Sequence, residues 1–189
     1  MDTNIPYKPK PYNPVSKLLH WLIAVMIIAM LILGFYMTGL PLSPYKLKIY
    51  SWHKWMGISI LLLSFVRVLW RLKYPAPDLP PQISLQASKM ALAGHAALYA
   101  LTFAVPLSGW LMSSAKGVQT VWFGVMPLPD LIPKDEQIGD LLLSAHINLN
   151  FLLIALIIGH ALMALKHQFI DKDGTLMRML PSFNKKDLT

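Results

Sequence analysis

Leu141-LLSAHINLNFLLIALIIGHALMA-Leu165 is a run of twenty-five residues without one Asp, Glu, Lys or Arg. It exceeds the roughly 20 apolar residues that a helix needs to cross a bilayer. Two histidines interrupt it, His146 and His160. Their fourteen-residue separation is close to four helical turns, so the rings project about 40° apart around one helix, with about 21 Å of rise between them. Ionisable side chains are costly in hydrocarbon and default to a functional reading. Two on nearly one face, toward opposite ends of the span, point to two stacked sites.

Three more stretches have the same character: Leu18–Met37, Trp52–Leu72 and Met90–Ser113. Together they account for a hydrophobic fraction of 55%, a charged fraction of only 14% and a mean hydropathy of +0.49, outside the range of soluble domains. A helix satisfies its own backbone hydrogen bonds, which lipid cannot do. The chain therefore reads as all-α, an integral membrane four-helix bundle. A soluble bundle would show a polar stripe on each helix, and Leu18–Met37 has almost none. The first apolar run is too long for a signal-peptide core and ends in Gly34-Phe35-Tyr36-Met37. With no small-x-small cleavage pattern there, it is expected to stay as a helix. The expected organisation is an N-terminal segment, residues 1–13, a four-helix membrane domain, 14–168, and an interfacial tail, 169–189.

A net charge of +8 invites a nucleic-acid reading, but the distribution of the cations argues against one. Lys8, Lys10, Lys17, Arg67, Arg71, Lys73, Lys89, Lys166, Lys172, Arg178, Lys185 and Lys186 fall on one side if four helices alternate. Lys46, Lys48, Lys54, Lys116 and Lys134 fall on the other. This asymmetry is the positive-inside pattern and places both termini in the cytoplasm. The chain has no cysteine, which excludes disulfides, iron–sulfur clusters and covalent haem attachment.

Asn13 followed by Pro14 reads as an N-cap with proline at the first helical position. Ser51 and Ser84 are candidate caps for the second and third helices, and Pro106 predicts a kink in the third. Tyr74–Pro81 is proline-rich and expected to be extended. The connection of about Ala115–Gly139 mixes Val121, Trp122 and Phe123 with prolines and acids. It reads as a folded cap lying on the outer membrane surface, with Asp135 and Glu136 in the first turn of the fourth helix. Trp52, Trp55, Trp70 and Trp110 suit interfacial belts.

Helix alternation assigns depths to the six histidines. It pairs His53 with His146 on the outer side, and His20 or His95 with His160 on the inner side. His167 falls at the interface. Bis-histidine ligation of b-type haem needs two imidazoles at equal depth on facing helices. Zinc would want three or four ligands converging on one point. A proton relay would need carboxylates inside the spans, and there are none. A lone intramembrane histidine is equally well an interhelical hydrogen-bond donor. Small residues sit at matching levels: Gly34 is fourteen residues after His20, Gly109 fourteen after His95, and Gly57 one turn after His53. Arg67, fourteen after His53, falls near the inner site and suits haem propionates. Lys54 is a weaker candidate for the outer propionates. His95 either hydrogen-bonds a neighbour or propionate, helps bind a quinone, or replaces His20. Asn148 and Asn150 are expected to satisfy each other or an outer ligand.

These residues resemble the prokaryotic cytochrome b561 family of four-helix membrane cytochromes. The matching pieces are Leu19-His20-Trp21, His53-Lys-Trp-Met-Gly57, Arg67-Val-Leu-Trp-Arg71 with Tyr74-Pro-Ala-Pro77, Gly94-His95 with Tyr99, Pro106-Leu-Ser-Gly109 and Lys166-His-Gln-Phe-Ile-Asp-Lys-Asp173. They extend from about Pro14 to Leu180. The resemblance implies two haem b groups, the inner one on His20 and His160 and the outer one on His53 and His146. It also implies a multi-pass protein of the bacterial inner membrane that exchanges electrons with quinone. In some members the outer donor is superoxide and the acceptor ubiquinone. An anchor subunit of a membrane hydrogenase or dehydrogenase, and a haem-free helical membrane protein, are the competing readings.

Overall fold

The computed structural model describes residues 10–78 and 83–181. Lys8, Lys185, Lys186 and the Leu79–Pro81 part of the proline-rich connection lie outside the described residues. Four helices dominate: α1 (Pro14–Thr38), α2 (Pro44–Lys73), α3 (Leu85–Ala115) and α4 (Glu136–Lys166). All four are long and apolar enough to cross a membrane. They form a bundle in which α1 lies along α2, α2 along α3 and α3 along α4.

Their starts are set by local chemistry. The Asn13 side chain accepts from Ser16 N, with Pro14 at the first helical position. Ser84 caps α3 through Ala87 N, and Asp135 caps α4 through Ile138 N. Each such cap satisfies one of the amide groups that a helix start leaves orphaned. Ser51 does not start α2. The helix begins two turns earlier at Pro44, where the Ser43 side chain accepts from Lys46 N, and Ser51 donates to Leu47 O inside the helix. A cap followed by proline, rather than the onset of apolar residues, sets that boundary. Pro106 sits inside α3, which runs on to Ala115.

The core is one layer of aliphatic side chains drawn from every helix: Ile23 and Ile27 of α1, Ile60 of α2, Leu101 of α3 and Leu153 of α4. Three of these stand seven residues beyond a histidine, as Ile27 does from His20, Ile60 from His53 and Leu153 from His146. Seven residues are about two turns, so each lies on nearly its histidine's face and about 10 Å along the axis. The dry layer therefore separates two histidine levels.

Both ends of the bundle are closed. At the end carrying the termini, residues beyond Lys166 fold back through a π-helical turn (His167–Asp171) and a 3₁₀ turn (Leu176–Arg178). Arg178 is 4% exposed. It donates to Lys10 O, Pro77 O and Asp78 O and stacks over Tyr12. One side chain thus ties the N-terminal approach, the α2–α3 connection and the tail together. Trp21 and Trp70 add bonds to Met179 O and to Asn13 Oδ1. At the other end, the α3–α4 connection folds into an antiparallel hairpin of β1 (Val121–Trp122) and β2 (Met126–Pro127). Trp55, Trp110 and Trp122 anchor it, donating to Val121 O, Pro129 O and Trp55 O.

Candidate functional site

At the hairpin end, α2 contributes His53 and α4 contributes His146, with ring centroids 6.4 Å apart and planes 79° apart. The His146 Nδ1 is 3.0 Å from Val105 O and 2.9 Å from Ser108 Oγ, both on α3. A carbonyl only accepts, so Nδ1 carries the proton and Nε2 keeps its lone pair. His53 Nδ1 is buried with no hydrogen-bond partner.

Glycines make the room. A Cβ at Gly109 would stand 3.1 Å from the His146 ring, and one at Gly34 would stand 3.5 Å from the His53 ring. Gly57 faces open space. A cavity of about 450 Å³ results, with His53, His146, Tyr50, Lys54, Thr120 and Asn150 among its lining residues. Lys54 lines this cavity, but its ammonium is committed to Val118 O at 2.9 Å. Asn148 and Asn150 do not satisfy each other. Each donates to a carbonyl one turn back on α4, Ser144 O and His146 O, because residues two apart on a helix do not face each other.

At the termini end, three histidines converge. His160 of α4 lies 6.2 Å from His20 of α1 and 5.5 Å from His95 of α3, centroid to centroid. Arg67 of α2 is close enough for its charge to act on all three. Its Nε donates to Tyr99 Oη at 3.2 Å, and its guanidinium lies over the Tyr99 ring. Its Nη1 is buried and unpartnered, an orphaned cationic donor that calls for an anionic acceptor.

His167 is more than an interfacial residue. Its Nδ1 lies 2.7 Å from Asp173 and 3.2 Å from Asp171, and Lys166 pairs with Asp171. Burial pushes the Asp173 carboxyl up, but hydrogen bonds from Thr175 and His167 outweigh it and hold the group below its ordinary value.

Sequence reasoning missed Ser108 and the Val105 carbonyl. Ser108 stands next to Gly109, so the fourteen-residue register that located the glycine also brings the hydroxyl to this level. The backbone carbonyl left no signal in the residues.

The chain is similar to cytochrome b561 homolog 2 of Escherichia coli (strain K12), with 38% identity over 173 residues, 91% of this chain and 92% of that protein. Similarity extends to the probable superoxide oxidase CybB of Yersinia pestis, at 30% identity over 91% of this chain and 97% of that protein. Cytochrome b561 homolog 1 of Escherichia coli (strain K12) is 31% identical over 86% and 93%. The family described as prokaryotic cytochrome b561 matches residues 11–182. With its four spanning helices and two levels of facing histidines, the chain belongs to the prokaryotic cytochrome b561 family, membrane electron-transfer cytochromes that bind haem b.

Proposed function

We propose that the chain is a di-haem b electron carrier that passes electrons from a donor at the outer face to the quinone pool. His53 and His146 would hold the outer haem, and His20 and His160 the inner one. The observation that carries this reading is the spacing of the rings. Two metal–nitrogen bonds of about 2.0 Å plus the two ring radii separate metal-bridged imidazole centroids by about 6.3 Å. The two pairs stand at 6.4 Å and 6.2 Å. His95, at 5.5 Å from His160, departs further from that spacing, which favours His20 as the ligand and leaves His95 beside the haem edge.

Bound haem would supply one-electron exchange. The protein's own residues do the rest. Val105 and Ser108 orient the His146 imidazole, and Gly34, Gly57 and Gly109 leave space for the ring. Arg67 offers its free Nη1 to a propionate. The aliphatic layer of Ile27, Ile60, Leu101 and Leu153 keeps water from the interval between the levels.

Superoxide is the outer donor that the similarity to the Yersinia pestis protein suggests. Two superoxide anions each lose one electron and leave as dioxygen, and one ubiquinone takes up both electrons with two protons to become quinol. Of the outer lysines, Lys116 is paired with Asp140 at 2.6 Å, whereas Lys54 lines the cavity with its side chain on the neutral Val118 carbonyl. Lys54 is thus the cation placed to attract a small anion. The termini would be cytoplasmic, as the 12:5 division of cations favours, and the membrane the bacterial inner membrane, as the spanning helices and the prokaryotic family suggest.

The test is haem content and spectrum. The purified protein is expected to give a b-type α-band on reduction and about two haems per chain by pyridine haemochromogen. A His146→Ala variant that retained two low-spin haems would overturn the assignment.

A further inference from the structure

Between Lys116 and Asp130 the chain carries no charge for thirteen residues: Gly-Val-Gln-Thr-Val-Trp-Phe-Gly-Val-Met-Pro-Leu-Pro. Its two polar side chains are both engaged. Thr120 is 4% exposed, and Gln119 donates to Leu128 O. The apolar ones point outward at the tip: Val125 is 83% exposed, with Met126 and Phe123 also exposed. A surface loop in water would show the opposite pattern.

The backbone of this segment is largely satisfied from within. Val121 pairs with Pro127 and Trp122 with Met126. Gly124 N and Val125 N donate to Val121 O and Trp122 O, and Leu128 N donates to Thr120 O. Val118 O receives both Lys54 and Ser113. Internal satisfaction is what a non-helical segment needs before it can leave water. The aromatic cluster of Trp55, Trp122 and Phe123, with neighbouring centroids 5.6 Å and 5.1 Å apart, is the composition favoured at the headgroup level.

The anchors give the depth. Trp122 Nε1 reaches Trp55 O and Ser59 Oγ, and Trp55 Nε1 reaches Val121 O, so the two indoles dock the hairpin on α2 beside Trp55. Trp55 is two residues further from the outer end of α2 than His53, and His53 faces His146. His146 is five residues inside Leu141, where the apolar run of α4 begins. Seven residues at 1.5 Å each place Trp55 about 10 Å below that boundary, and counting from Trp52, where the apolar stretch of α2 begins, gives about 5 Å. This is the depth at which interfacial segments bury their apolar face.

We infer that the hairpin of residues 117–129 is a re-entrant element whose tip, Phe123, Val125 and Met126, occupies the outer leaflet of the bilayer beside α2. Its occupant is lipid, because the patch is uncharged and sits against α2, a spanning helix whose own Leu62 and Phe65 are exposed. The connection thus does not lie on the membrane surface. Its root residue Thr120 forms part of the cavity wall beside His53, so lipid anchoring of the tip steadies one wall of the outer site and leaves the opposite rim to an aqueous donor.

The natural absence of cysteine makes the test direct. Val125→Cys, Leu62→Cys and Gln137→Cys variants of the full-length haem-loaded protein are spin-labelled, reconstituted in liposomes and compared by paramagnetic-relaxer accessibility. Position 125 is exposed, so the substitution removes no packing. The expected result is access of a water-soluble nickel chelate at 125 that is at least about threefold lower than at 137, with oxygen access approaching that at 62. A smaller reduction overturns the proposal, as does dipolar broadening between labels at 125, which would place a second copy of the chain on this face.

Discussion

His146 donates its Nδ1 proton to the carbonyl of Val105, 3.0 Å away, with the Ser108 hydroxyl 2.9 Å from the same nitrogen. The α3 backbone therefore sets the tautomer of an α4 imidazole and holds Nε2 as the lone-pair nitrogen. Partners of this kind orient a ligand before any metal arrives, and removing one typically weakens binding tenfold or more. Because the carbonyl would remain, Ser108→Ala is expected to speed haem loss from this level by only about threefold to tenfold, measured as transfer to apomyoglobin.

Gly109 is the tighter constraint. A Cβ there meets the His146 ring at 3.1 Å, and a branched side chain would overlap it. Gly109→Val is expected to lower haem content from about two per chain to about one, with a packing cost of about 1–3 kcal/mol. Gly57→Ala, which meets nothing within 4 Å, should retain both.

The two candidates for partner of His160 separate cleanly. His20→Ala is expected to remove one haem, whereas His95→Ala should keep both haems and the low-spin spectrum. The 6.2 Å and 5.5 Å ring separations motivate that difference. Pyridine haemochromogen assay and electron paramagnetic resonance of the oxidised protein would decide it.

Arg178 holds three carbonyls and is almost fully buried. Arg178→Ala leaves those acceptors without a donor and a void beneath Tyr12, at a cost of roughly 2–4 kcal/mol. Limited proteolysis should then cut rapidly between Lys10 and Asn13 and in the tail, with the spanning helices intact.

The tail carries an acid-sensitive component. The folded Asp173 carboxyl lies below its ordinary value of 3.8, so its contribution is fully present above that value and is lost as pH falls through the lowered folded value. Hydrogen-exchange protection of Thr175 N should hold down to about pH 4 and fall on further acidification. Asp173→Asn should remove this pH dependence; a profile identical to that of the natural protein would rule out the attribution.

The four spans, the caps at Asn13 and Ser84, and the levels of His20, His53, His146 and His160 were legible in the chain, whereas Asp135, expected in the first turn of α4, is its N-cap. Membrane insertion demands apolar runs of bilayer length, and helical geometry converts a fourteen-residue spacing into one face and one depth. The same arithmetic located Gly34 and Gly109. It failed where the deciding group was not a periodic side chain. Ser43 with Pro44, rather than Ser51, starts α2, and the Val105 carbonyl that orients His146 is invisible in a list of side chains.

By itself, then, the sequence determined that this protein crosses a membrane four times and carries histidines at two levels, because both follow from local period and composition. Only the tertiary structure decided how near His20 and His95 each come to His160, how Arg178 closes one end and how the 117–129 hairpin beds against α2 at the other. Each of those depends on contacts between residues distant in sequence. Their geometry is set by how helix faces and connections pack, which no single segment's periodicity contains.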